Sequence, residues 1–252
     1  MSESLDLTFL NGNKACLIQV DSSVDLSAAL RQIGLQKPRP TLVVVGGASK
    51  MTDESLARLR QLFVEVLAPL AEELKAYVVD GGTDAGVMQM IGKARADTAG
   101  TFPLIGVAPE GKIALPNPSS SLSSGKLLEP NHTHFVLIPG ATWGDESSWL
   151  ARIATMLAGG SPSVTVLING GETALLDVFK NIEVGRSVVV IAGSGRLADE
   201  IARAVLHPQE APERVAELVH TGQLRLFDFS KPLAMLTEVL KQQLIVKKTE
   251  VV

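Results

Sequence analysis

A single cysteine, Cys16, stands alone in 252 residues, so no disulfide forms within the chain and no Cys/His spacing suits a structural zinc. A lone thiol fits a reducing compartment, and the cytoplasm is the expected location. No apolar run reaches the roughly 18–20 residues of a membrane span. The first thirty residues carry Glu3, Asp6, Asp21 and Asp25 in place of a basic stretch followed by an apolar one, so no export signal is read. An excess of positive charge is also missing. Lys and Arg total 23 against 27 Asp and Glu, a net charge of −4, which offers no electrostatic footprint for duplex DNA or an anionic membrane. An anionic ligand must therefore be held locally. Aromatic residues make up 4% of the chain. Its two tryptophans, Trp143 and Trp149, flank the stretch 140–148, where one could stack on a base, although core packing is the expectation for both.

What is present is 46% apolar residues in a chain long enough to bury roughly 70–75% of its unfolded surface without a staple. One domain over 1–252 is expected. Val- and Ile-rich runs at 42–45, 77–79, 104–107, 135–138, 164–168, 188–191 and 224–227 read as seven strands. They do not alternate apolar with polar, so both faces of the sheet should be covered, as in parallel sheets between helical layers. Their spacing leaves room for a crossover between each pair, which predicts a doubly wound, Rossmann-like α/β fold with a core over about 40–244. Segments 5–10 and 15–20 around Asn11-Gly12-Asn13 read as an N-terminal β-hairpin. Thr52 should cap a helix whose stripe runs through Leu56, Leu59, Phe63, Val66, Leu70 and Leu74, with Pro69 kinking or dividing it. Further helices are expected over 87–96, 147–157, 173–179, 197–206, 211–220 and 232–244. The Pro/Ser-rich stretch 115–125 reads as a loop.

The strands end in glycine. Gly46-Gly47 follows the first, Gly81-Gly82-Thr83-Asp84-Ala85-Gly86 the second, Gly170-Gly171 the fifth and Gly193-Ser194-Gly195-Arg196 the sixth. In an open α/β sheet such turns gather at the carboxyl edge, where crevices bind ligands. Glycine lets the backbone approach a ligand closely, and free amides at a following helix start favour an anion. None of the turns is a strict G-x-G-x-x-G or a P-loop, which disfavours a standard dehydrogenase or NTPase. The helix beginning at Val87 has no carboxylate in its first turn, making it the preferred phosphate seat. Arg196 could clamp a phosphate, and Glu172 suits ribose hydroxyls. Arg152 could point into the crevice or be a solvated helix residue. His132 and His134, with no metal-like spacing, read as hydrogen-bonded structure. No metal site and no Ser-His-Asp or Cys-His arrangement is identifiable.

The ordered series of 81–88, 105–111, 131–135, 170–173 and 193–196 resembles the cytosolic N-terminal domain of melastatin-type TRP channels. That domain belongs to the SLOG superfamily, with the LOG cytokinin-activating enzymes and the lysine-decarboxylase-like proteins. The similarity spans roughly 40–230. With no membrane span, the chain resembles a free-standing prokaryotic form (LSDAT). The resemblance implies a Rossmann-like domain that binds a nucleotide-derived ligand such as ADP-ribose. The ligand contacts it implies fall on Gly82, Thr83, Gly86 and Val87, on Arg152, on Gly171 and Glu172, and on Arg196. LOG-type hydrolases carry P-G-G-x-G-T-x-x-E, whereas the corresponding stretch here runs from Asn169 to Asp177 and replaces Pro, the third Gly, Thr and Glu. Asp177 keeps a carboxylate on a shorter arm and is a weak catalytic candidate.

The resulting expectation is a non-catalytic module that binds ADP-ribose, NAD or an AMP-like nucleotide. The diphosphate should lie over Gly82 to Val87, with ribose and base toward Glu172 and Arg196. A nucleotide N-glycosidic or phosphodiester hydrolase is the alternative. The expected partner is the small nucleotide, with no duplex nucleic acid and no membrane, and self-association is left open. The reading requires the turn amides to share one edge and to remain open.

Overall fold

The structure is a computed structural model that describes residues 4–115 and 125–245. The stretch read as a loop therefore lies, over 116–124, outside the described residues. Seven parallel strands form the body of a sheet: β3 (Thr41–Gly46), β4 (Tyr77–Asp80), β5 (Leu104–Pro109), β8 (His134–Ile138), β9 (Ser163–Ile168), β10 (Ser187–Ala192) and β11 (Leu224–Asp228). The hairpin of β1 (Ser4–Thr8) and β2 (Lys14–Gln19) extends one edge. Here β2 runs parallel to β8, and β1 is the antiparallel rim. The order is β1-β2-β8-β5-β4-β3-β9-β10-β11. From β3 the chain winds outward through β4, β5 and β8, then returns to lay β9 on the other side of β3. The sheet therefore reverses direction between β3 and β9, which in this architecture is where a crevice opens. Two short strands, β6 (Ile113–Ala114) and β7 (Lys126–Leu127), pair separately.

Both faces are covered, as the unbroken apolar runs require. One face packs against α1 (Leu26–Gln32), α5 (Ser147–Ala158), α6 (Glu172–Glu183), α7 (Arg196–Leu206) and α8 (Glu213–Val219), through residues such as Leu30, Ile153, Val178, Ile201 and Leu218. The other packs against α2 (Asp53–Leu62), α3 (Ala68–Glu73), α4 (Gly86–Asp97) and α9 (Leu233–Leu244), through Leu59, Leu70, Ile91 and Leu240. Thr52 Oγ1 caps α2 by accepting from the Ser55 amide at 3.2 Å. Pro69 does divide that long helix. It lacks an amide and its ring would strike the carbonyl four residues back, and the chain answers with a wider π turn over Phe63–Leu67 before α3 begins.

Candidate functional site

The four glycine turns share the carboxyl edge, and three are tied together. A Cβ on Gly46 would lie 1.8 Å from the Ile168 carbonyl oxygen, and its φ is +131°. Only glycine lets β3 pass this close to β9. The first turn continues against the start of α4, where an ideal Cβ on Gly86 lies 3.6 Å from both the Ala48 amide nitrogen and Gly47 Cα. Asn169, buried at the end of β9, donates from Nδ2 to the carbonyls of Ser194 at 2.8 Å and Ser49 at 3.3 Å. Its own amide donates to Ser194 Oγ at 2.7 Å. Arg196 then reaches back to donate to Ser49 Oγ at 2.8 Å. Its guanidinium packs over Gly171, where a Cβ would come 2.8 Å from Nη2. The 46–49 turn thus lies between the start of α4 on one side and Arg196 with the start of α6 on the other.

The helix starts differ in what they leave open. Among the described residues no side chain caps α4 or α6; α4 has no acidic residue in its first turn and presents its partial positive charge to the edge, whereas α6 begins with Glu172, which is paired with Arg214. The start of α7 is closed by backbone: Ala198 N donates to the Asn169 carbonyl at 3.0 Å and Leu197 N to that of Gly170 at 3.5 Å. Two of the glycine amides are likewise spent on carboxylates, Gly82 on Asp80 Oδ1 at 2.7 Å and Gly193 on Asp199 Oδ1 at 2.6 Å.

Beside the switch point a cavity of about 230 Å³ is lined by Gly46, Gly81, Thr83, Met88, Lys126, Trp143, Leu150, Thr173 and Ala174, together with the carboxyls of Glu146 and Asp177. Burial pushes the Asp177 carboxyl up to about 7 against the opposing hydrogen bond from Ser147 Oγ, 2.7 Å away, and the Glu146 charge adds to the rise. Burial also raises Glu146, whose Oε2 accepts from the Gly144 amide at 2.7 Å. Near neutral pH the cavity therefore offers a carboxyl able to donate as well as accept. A wider recess of about 560 Å³ on the other side of α6 is lined by Gly170, Gly171, Glu172, Arg196, Arg203 and Arg214 among others.

These positions revise the reading in six places. Arg152 does not enter the crevice; it is exposed on α5 with its guanidinium 5.9 Å over the Trp149 ring. Glu172 is exposed at the wider recess and pairs there with Arg214, which also bridges to Glu200. Gly82 and Gly193 have committed their amides, and Gly82 is needed for packing, since a Cβ there would lie 2.7 Å from Gly106 Cα. Ser194 Oγ is turned inward, donating to the Ile191 carbonyl at 2.6 Å. Val87 is fully buried, which leaves only its backbone to the site. Trp143, expected in the core, is 39% exposed at the cavity. Gly195 holds φ +102° and turns the chain into α7. Gly46, Gly81 and Thr83 line the first recess and Gly170, Gly171 and Arg196 the second, while Gly47 and Gly86 meet at the turn between β3 and α4. Glu146, Lys126 and Met88, which the sequence does not single out, also line the first recess, and Ser49 receives Arg196.

A doubly wound, Rossmann-like sheet with its glycine turns gathered at the switch point defines the class. Within it, the chain belongs to the family described as SLOG in TRPM, prokaryote, whose model matches residues 39–237. Among curated relatives it is similar to transient receptor potential cation channel subfamily M member 2 of Mus musculus, at 29% identity over 222 residues, covering 74% of this chain and 15% of the channel. The subfamily M member-like 2 channel of Nematostella vectensis is 27% identical over 224 residues, covering 74% and 14%. The chain thus spans about a seventh of the length of these relatives. The X-ray structure of TM1055, a structural genomics target, shares the fold with a TM-score of 0.53 at 18% identity, covering 81% of this chain and 99% of that one. No helix among the described residues is long and apolar enough to cross a membrane.

Proposed function

We propose that this chain binds a nucleotide-derived ligand across the β3–β9 switch point, as a cytoplasmic module without catalysis of its own. Phosphates sit around the 46–49 turn, reached by the uncapped starts of α4 and α6 and by Arg196. The nucleoside enters the neighbouring cavity, where Trp143 offers a ring face and Glu146 and Asp177 accept from ribose hydroxyls. The observation that carries this reading is the meeting of two uncapped helix starts and one guanidinium about a single turn. ADP-ribose, NAD and AMP all have the required parts.

Calorimetry with these three ligands tests it. Arg196→Ala is expected to weaken binding by roughly 10- to 100-fold, since a hydrogen bond to a charged group is worth about 1.5–3 kcal/mol. The melting temperature should hold, because Arg196 is exposed and, among the described residues, its guanidinium hydrogen-bonds only to Ser49. Absence of binding by all three ligands to the folded protein would overturn the reading.

The paired carboxyls in the cavity favour a second reading, a hydrolase of a nucleotide N-glycosidic bond. A carboxyl with its pKa near 7 beside another carboxylate is the pattern of acid–base catalysis. Release of free base or ribose 5-phosphate, lost in Asp177→Asn, would establish it. Binding is preferred because the 169–177 stretch replaces most of the LOG hydrolase signature.

A further inference from the structure

Beneath the phosphate-facing edge lies a charged group that touches no part of the crevice. His132 is 1% exposed, with Nε2 2.9 Å from Asp80 Oδ1 and Nδ1 2.8 Å from Glu129 Oε2. Carboxylates only accept, so a ring between two of them donates from both nitrogens and is an imidazolium. Burial works to strip that proton, but Asp80, and after it Glu129, outweigh burial and hold the ring's pKa up at about 9. Every element around the ring is accounted for. Asp80 comes from the end of β4 and Glu129 from the turn before β8. Phe135 of β8 stacks at 5.3 Å, and Arg95 of α4 lies beyond Glu129, donating to the Asn131 carbonyl at 3.4 Å.

The two residues that hold His132 also hold the turn leading into α4, Asp80 through its carboxylate and Glu129 through its backbone amide. Asp80 Oδ1 accepts from the Gly82 amide, and the Glu129 amide donates at 3.0 Å to the Gly82 carbonyl. Both polar groups of that residue are therefore fixed. Glu129 also presses on α4, where a Cβ on Gly92 would come 2.0 Å from its Oε2. The helix whose uncapped start faces the 46–49 turn is thus seated against the same carboxylate. Asp80 Oδ2 is buried with no hydrogen-bond partner among the described residues, so the imidazolium is the charge that balances this aspartate.

We infer that His132 is a positioning residue for the anion seat: by bridging Asp80 and Glu129 it sets the Gly81–Gly82–Thr83 turn and the start of α4 in the geometry that receives a phosphate. The inference rests on the nucleotide-binding reading above. Without the proton, two buried carboxylates would repel across a neutral ring, and the turn held by the Asp80 carboxylate and the Glu129 backbone would lose its fixed position.

The test is calorimetric titration of the full chain with AMP and ADP-ribose between pH 6.5 and 10, for the wild type, His132→Gln and Gly92→Ala. Wild-type affinity should be level to about pH 8 and fall as pH rises through about 9. His132→Gln should bind at least 10-fold more weakly at pH 7.5 and show no alkaline fall. Gly92→Ala, which displaces Glu129 from the other side, should weaken binding in the same direction. Nitrogen NMR of the His132 ring should show both nitrogens protonated at pH 8. A purely structural role would lower the melting temperature of His132→Gln yet leave affinity and pH profile in the folded protein unchanged, and that result would overturn the inference. A neutral ring at pH 8 would do the same. Should His132→Gln fail to fold, the wild-type pH profile and the ring spectrum decide. A wild type that binds neither nucleotide at any pH refutes the binding reading, and this inference with it.

Discussion

Gly46→Ala is expected to lower the melting temperature by more than about 10 °C or to leave no folded protein. The new methyl would lie 1.8 Å from the Ile168 carbonyl oxygen, 2.8 Å from its carbon and 3.1 Å from the Ile168 nitrogen. All three are backbone atoms of the neighbouring strand, with no side chain to swing aside. Relief requires β3 and β9 to part at the centre of the sheet, and overpacking of that kind costs about 1–3 kcal/mol or more. A φ of +131° adds backbone strain of about 1–3 kcal/mol. The sum is a large share of the roughly 5–15 kcal/mol that holds a typical domain together, and at this size each kcal/mol moves the melting temperature by about 2–4 °C. Gly160→Ala is the control. It has φ +92° but nothing within 4 Å of the added carbon, so it should show only the backbone component. Thermal melts of the two variants that fell together would show that close approach of β3 and β9 is not what demands glycine.

Asp177→Asn should act in the opposite sense and stabilise the protein at pH 8. An unfolded aspartate has a pKa near 3.9, whereas burial raises this one to about 7. The folded state therefore holds its proton more tightly than the unfolded state, and stability falls as pH climbs between those two values. Below the lower value the carboxyl is neutral in both states and nothing is lost. Above the upper one the full cost of a buried, ionised carboxylate is present, on the order of 4 kcal/mol for a separation of this size. An amide removes that cost while keeping an oxygen for Ser147 Oγ. Melting temperatures should differ little at pH 3.5 and diverge through pH 4–7, with the variant higher by roughly 8–16 °C at pH 8. A variant less stable than the wild type at pH 8 would mean that the folded protein welcomes this charge. Retaining a destabilising carboxyl at a cavity wall is a trade expected of a functional group.

Much of the architecture can be read directly from the chain. Unbroken Val/Ile runs mark strands buried on both sides, and the glycines that close them mark the carboxyl edge of the sheet. The missing pieces fail for identifiable reasons. At seven residues, α1 is too short to show a period, though Asp25 caps it by accepting from the Ala28 amide. Arg152 was legible in principle: Leu150, Ile153, Ala154 and Leu157 define the buried face of α5, and position 152 falls off it. Glu146 lies 31 positions before Asp177, and only the packing of α5 against α6 brings the two carboxyls to one cavity. The pairing of Glu172 with Arg214 joins residues 42 positions apart and leaves no local pattern. The capture of the Gly82 amide by Asp80 is a local Asx-type turn two residues long, whereas that of Gly193 by Asp199 depends on side-chain direction. His132 was read as hydrogen-bonded structure, and its setting between two carboxylates is visible only once β4 and β8 are brought into one sheet.

The reversal of winding between β3 and β9 has a consequence for how the molecule comes into being. The bond that fastens one wall of the crevice to the other, from Asn169 to Ser49, spans 120 residues. A nascent chain emerging from the ribosome can pair β3 with β4 and β5 well before β9 has been synthesised, so half of the sheet can assemble while the recess still has a single wall. Such distant closure is intrinsically slow. A small molecule that grips both walls would therefore recognise only a chain in which β9 has joined β3, and would report on the docking of that central strand.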